Sequence, residues 1–146
     1  KSFNTIPFVV LENRTGQFVS NGEQINKFWQ ALLIEDDGLG KDVGIVLDIQ
    51  QLYTVTKGDF LKQLYYIPNE SVKGFHIHCR HRTPSVDNKI PWKKVFAWLG
   101  KIEHKLFLNP EVHHHSQAKD TISFCNEMMK KNPTTACTGR RKACRQ

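Results

Sequence analysis

Four times along this chain a short, unbroken apolar run stops at or beside a carboxylate or an imidazole, and each time a stretch with helical spacing follows. The runs are Ile6-Pro-Phe-Val-Val-Leu11 ending at Glu12, Val43-Gly-Ile-Val-Leu47 ending at Asp48, Val72-Lys-Gly-Phe-His-Ile77 carrying His76, and Leu106-Phe-Leu108 leading to Glu111. Apolar runs of this length read as strands covered on both faces. Their alternation with helices implies parallel strands joined by right-handed crossovers. The expected fold is α/β, with four parallel strand-helix units in residues 1–131.

The helices are read from caps and spacing. Ser20 and Glu23 stand at capping-box distance ahead of Ile25, Phe28, Trp29, Leu32 and Leu33. Asp36 to Gly40 is turn chemistry before the second strand. Thr56 and Asp59 offer the next cap, for Phe60, Leu61, Leu64 and Tyr65, with a stop at Pro68-Asn69. Pro91 opens a helix that runs through Trp92, Val95, Phe96 and Leu99 to Gly100. Ser116 is expected to cap the last one, whose Ala118, Ile122, Cys125 and Met129 fall along one side. Residues 132–146 read as a basic, loosely ordered tail.

With 146 residues the chain has the size of one domain. No apolar run approaches the roughly 20 residues of a membrane span, so no membrane partner is expected, and cysteines without CxxC spacing in a chain with no secretory signal read as a reducing, cytoplasmic (intracellular) location. The net charge of +7 favours polyanionic partners, although much of it sits in Lys130, Lys131, Arg140, Arg141, Lys142 and Arg145. Cys79, Cys125, Cys137 and Cys144 lack CxxC spacing and read as free thiols, with Cys137 and Cys144 flanking a basic segment. The first residue is Lys1 and no signal segment follows, which reads as a trimmed product or a piece of something longer.

Side chains alternate along a strand, so Glu12 shares a face with Val10, Asp48 with Val46, His76 with Gly74, and Glu111 with Phe107. His78 shares the face of His76. Four parallel strands present their carboxyl ends on one rim, and Glu12, Asp48, His76 and Glu111 then converge there. Three carboxylates and an imidazole make a divalent-metal site for Mn, Mg, Co or Zn. Without a cation, that concentration of buried negative charge is costly. His113-His114-His115 reads as an exposed loop with one ring leaning over the rim, and the three tryptophans read as helix packing.

The order of these motifs resembles the C-terminal half, strands five to eight, of the xylose isomerase-like TIM barrels. That superfamily includes sugar isomerases, ketose 3-epimerases and the endonuclease IV type of apurinic endonuclease (AP endonuclease family 2). The resemblance rests on Val9-Val-Leu-Glu-Asn-Arg14, Val43-Gly-Ile-Val-Leu-Asp48, and Gly74-Phe-His-Ile77 through Arg82 to Ile90-Pro-Trp92, and covers about residues 6 to 130. The third motif is similar to that of tagatose 3-epimerase-like enzymes, with a metal histidine, an arginine six residues on, and an Ile-Pro-Trp helix start. The resemblance implies that His76 binds metal and Arg82 contacts substrate oxygens. It implies that Glu12 and Glu111 are metal ligands that also form the acid/base pair, and that Asp48 completes the coordination.

The resemblance also implies a sugar or sugar phosphate as substrate, with His78 and Gln51 among its contacts. Gln51 replaces the histidine usual three residues after the strand-six aspartate, and Asp87-Asn88-Lys89 lacks the histidine of the endonuclease type. Such barrels run to about 250 residues, so four units imply a homo-oligomer or a complementing N-terminal half. Three functions follow as expectations. The first is metal-dependent isomerisation or epimerisation. The second is cleavage of damaged DNA, favoured by Arg80, His81 and Arg82. The third is a non-catalytic barrel remnant that binds nucleic acid or a protein assembly.

Overall fold

The computed structural model describes residues 9–35 and 42–131. In order they form β1 (Val9–Glu12), α1 (Gly22–Glu35), β2 (Val43–Asp48), α2 (Ile49–Thr56), α3 (Phe60–Tyr66), β3 (Val72–Ile77), α4 (Trp92–Leu99), β4 (Phe107–Pro110) and α5 (His115–Lys131). The strands make one sheet in the order β1-β2-β3-β4, and every neighbouring pair is parallel. The expected α/β architecture with a parallel sheet is therefore present. Ile6, Pro7 and Phe8, the turn at 36–40, and the tail at 132–146 with Cys137 and Cys144 lie outside the described residues.

The core lies between one face of the sheet and the helices. Ile45 and Leu47 of β2 and Phe75 and Ile77 of β3 are buried there with Ile25 of α1, Leu64 of α3, and Trp92, Val95 and Phe96 of α4. The helix α1 lies so close to α3 that a Cβ at Gly22 would collide with the Gln63 backbone carbonyl, so only glycine fits that contact. The Glu23 N–H donates to Gln63 Oε1 at 3.1 Å across the same joint.

On the other face the edge strands are open, while Val46 of β2 stays buried. Val10, opposite in direction to Leu11, is 42 % exposed, and Phe107 is 45 % exposed with its ring laid over Gly74. Both ends of the strand order, β1 and β4, are sheet edges among the described residues.

Several local expectations shift. The cap of α1 is Asn21 rather than Ser20: Asn21 Oδ1 accepts the Gln24 N–H at 3.0 Å, and Gln24 Oε1 accepts the Ser20 N–H and hydroxyl in return. Asparagine caps as well as serine, and glutamine reciprocates as glutamate does. Helix α2 follows β2 directly because Asp48, read from sequence as a strand end and cluster member, also caps it. Its Thr54-Val55-Thr56 end is β-branched and hides the helical signal. Thr56 does not cap the following helix, since its hydroxyl donates back to the Leu52 carbonyl at 2.8 Å.

Ser116 lies inside α5, which begins at His115. The buried side of α5 is Thr121, Cys125 and Met128, while Ile122 and Met129 are exposed. The face is turned from the expected one because Phe124 joins the Trp92 and Phe96 rings edge-on and fixes the helix rotation.

Candidate metal centre

Each strand delivers its terminal polar side chain to one end of the sheet. Asp48 and His76 are cross-strand partners in register, Glu12 ends β1 beside them, and Glu111 follows Pro110 at the end of β4. One candidate ligand atom from each of Glu12, Asp48, His76 and Glu111 lies within 4.8 Å of all the others. The four residues expected from the sequence to converge are thus brought together.

Asp48 is held on every side. Its backbone N–H donates to Asn13 Oδ1 at 2.7 Å and its carbonyl accepts from Asn13 Nδ2 at 3.1 Å, so the buried Asn13 ties the residue after β1 to the end of β2. Its Oδ1 accepts the Gln51 N–H at 2.9 Å, the N-cap bond of α2. Its Oδ2 lies 3.3 Å from His78 Nε2. Since His78 Nδ1 accepts the His81 N–H at 3.0 Å, the proton of a neutral His78 sits on Nε2 and points at Asp48. A buried carboxylate so oriented is what an outer ring of donors gives a metal ligand.

His76 Nδ1 lies 3.2 Å from Glu12 Oε1 and 3.2 Å from Glu111 Oε2. These short approaches lack hydrogen-bond geometry, and His76 Nδ1 and Glu111 Oε2 are both buried polar atoms without a hydrogen-bond partner. Buried polar atoms are ordinarily paired, so two orphans facing each other among carboxylates ask for a missing electrophile. The donor set, three carboxylates and one imidazole, fits a divalent cation of the borderline-hard kind. The cluster could hold a metal ion.

A second grouping, His78, His81 and Glu111, also brings ligand atoms together. It is a poor chelate in this geometry. The His78 and His81 rings are stacked 4.6 Å apart with planes 6° from parallel, so their in-plane lone pairs do not converge on one ion, and both His78 nitrogens are already committed. His113 stacks on the outer face of His81 at 4.7 Å, and its N–H donates to the His81 carbonyl at 3.1 Å. This is the ring expected to lean over the rim. The three-ring stack packs beside Glu111, whose Oε1 is 3.7 Å from His81 Nδ1.

The remaining sequence-derived site residues lie around this centre. His78, expected to contact substrate, is almost wholly buried between Asp48 and Glu111. Gln51 uses its carboxamide oxygen to accept the Thr15 N–H and hydroxyl at 3.2 and 2.6 Å, pinning the loop after β1 to α2. Arg82 lies on the far side of the Cys79–Arg82 turn, lining a cavity next to Arg80. The Asn13 bridge and the imidazole stack were missed from sequence. For Asn13 the signal was its place directly after the first carboxylate. For the stack there was none, because His113 and His81 are far apart in the chain.

No protein-family model matches the chain, and no curated protein matches it. Among the described residues no helix is long and apolar enough to cross a membrane.

Proposed function

We propose that this chain is a divalent-metal-dependent isomerase or epimerase of a small sugar or sugar phosphate, using Mn, Mg, Co or Zn. The observation that carries the reading is the pair of orphaned buried atoms, His76 Nδ1 and Glu111 Oε2, enclosed with Glu12 and Asp48 at the carboxyl ends of four parallel strands. Glu12, Asp48, His76 and Glu111 would hold the cation, which supplies polarisation of a carbonyl and stabilises negative charge on its oxygen.

The protein's own residues then divide the work. Asp48, pinned by Gln51, His78 and Asn13, fixes the floor of the site. Glu12 and Glu111 are about 40 % exposed, which leaves them free to exchange protons at the mouth. One of them, as carboxylate, takes the proton from the carbon beside the carbonyl while the C–H electron pair moves to form an enediolate. The other, as carboxylic acid, returns a proton to that carbon from the opposite side, or to its neighbour once the hydroxyl proton has passed from one enediolate oxygen to the other.

The same reading takes the sheet as half of a closed barrel. The exposed Val10 and Phe107 face and the two open edges are what a further four strand-helix units would cover, in a second copy or a complementing half. Sedimentation is expected to give a dimer or a complex, and a compact, well-folded monomer would speak against closure.

The test of activity is solvent exchange. In deuterated buffer with Mn, a panel of ketoses and their phosphates should gain deuterium at the carbon beside the carbonyl, and EDTA should abolish it. Metal binding with no exchange on any member of the panel would remove the enzymatic reading.

A further inference from the structure

The turn that follows β3 separates two environments. The Cys79 N–H donates to the Arg82 carbonyl at 2.9 Å and the Arg82 N–H to the Cys79 carbonyl at 3.1 Å, closing a two-residue turn. Its central residues have φ of 53° at Arg80 and 56° at His81, the left-handed pair that Asn-Gly usually supplies. Here an arginine and a histidine hold it, steadied by the Arg80 N–H to Gln50 Oε1 bond at 3.3 Å and by the stacking of His81 on His78. Strained backbone of this kind gathers at functional positions. The turn sends His81 toward Glu111, and Arg80 and Arg82 into a cavity of about 610 Å³.

That cavity, walled by α2 on one side and by the loop ahead of α4 on the other, is cationic. Arg80, Arg82 and Lys89 line it, and among the described residues none of the three is in an ion pair. Asn88 spends its carboxamide oxygen on the Ser85 N–H at 2.7 Å, which leaves its NH₂ as a donor. The one carboxylate on the wall, Asp87, accepts from the Ser85 hydroxyl at 3.4 Å. Three cations against one carboxylate leave an excess of two positive charges, the complement of a phosphate dianion. Arginine forks and a lysine point charge are the side chains that recognise such a group.

We propose that this cavity binds the phosphate of a small phosphomonoester. The anion site stands on its own residues, apart from the isomerase reading. One tight turn and the loop facing it gather the three cations at a single place, which suits a terminal monoester better than a polymer, whose recognition needs cations spread along a track.

The test uses the whole chain and inorganic phosphate, followed by titration calorimetry with and without EDTA. Saturable binding that persists in EDTA is expected. Arg82→Gln and Lys89→Gln, both at exposed side chains, should each weaken it several-fold, and the pair at least tenfold, with unchanged circular dichroism. Phosphate binding without deuterium exchange on any phosphorylated ketose would keep the anion site and remove the isomerase reading. Absence of saturable binding, or binding indifferent to both substitutions, overturns the proposal. So does weak phosphate binding beside tight, salt-sensitive binding of duplex DNA that needs Arg80, Arg82 and Lys89, since the cavity would then serve a phosphodiester backbone.

Discussion

The two central strands and the two outer ones each supply two members of the acid cluster, under opposite conditions. Asp48 and His76, from β2 and β3, have side chains 2 % and 15 % exposed, whereas Glu12 and Glu111, from the edges, are 40 % and 39 % exposed. The strands show the same contrast, since β2 is buried almost throughout and β1 is mostly exposed. Burial in the middle of a parallel sheet fixes side chains through packing and register, and an edge leaves them room to move. The centre is therefore suited to hold a cation in place, and the edges to carry protons.

The sharpest way to break that division is to neutralise the edge acids. Glu12→Gln and Glu111→Gln should each keep the fold and slow deuterium exchange by about 10²- to 10⁴-fold. If exchange persists in both, the edges are not the proton carriers. Next comes the centre. Asp48→Ala strands the Gln51 N–H and His78 Nε2 and removes the cap of α2, which should cost about 3 kcal/mol in urea unfolding done in EDTA. A loss no larger than that of Glu12→Ala would erase the contrast between centre and edge.

His78→Gln sharpens the account of how the centre is oriented, and metal affinity should fall by about 10- to 100-fold, read by calorimetry. Gly74→Ala probes the seam between centre and edge. The new Cβ would meet the Phe107 ring at 2.5 Å, but that ring is on the exposed side and can swing away, so the loss should stay below about 1 kcal/mol.

The smallest effect concerns the covering layer. Burial pushes the Cys125 thiol up from 9.0 to about 12. Between those values the folded chain keeps a proton that the unfolded chain releases, so stability from this thiol is intact below pH 9.0 and is lost as pH rises toward 12. Midpoints of urea unfolding should fall across that window in the wild type and less in Cys125→Ala.

The parallel order of the sheet and the convergence of Glu12, Asp48, His76 and Glu111 were legible because both follow from strand periodicity, which the apolar runs display openly. The supports were not. Asn13 acts through a hydrogen-bonded pair with the backbone of a residue 35 positions away, and no local pattern announces such a partner. His78 read as one more rim histidine, and only the backbone N–H of His81 on its Nδ1 reveals it as a donor to Asp48. Helix α2 was hidden because one residue, Asp48, serves as strand end, cap and cluster member at once. The turn of α5 onto Thr121 and Met128 rather than Ile122 and Met129 depended on ring packing by Phe124, a tertiary choice among nearly equal faces.

The account stands most directly on a metal titration. Chain stripped with EDTA and titrated with Mn should bind one ion per chain, and His76→Ala should abolish that binding while the circular dichroism stays unchanged. Failure of the wild type to bind any divalent ion, or binding that survives both His76→Ala and Asp48→Ala, would contradict it.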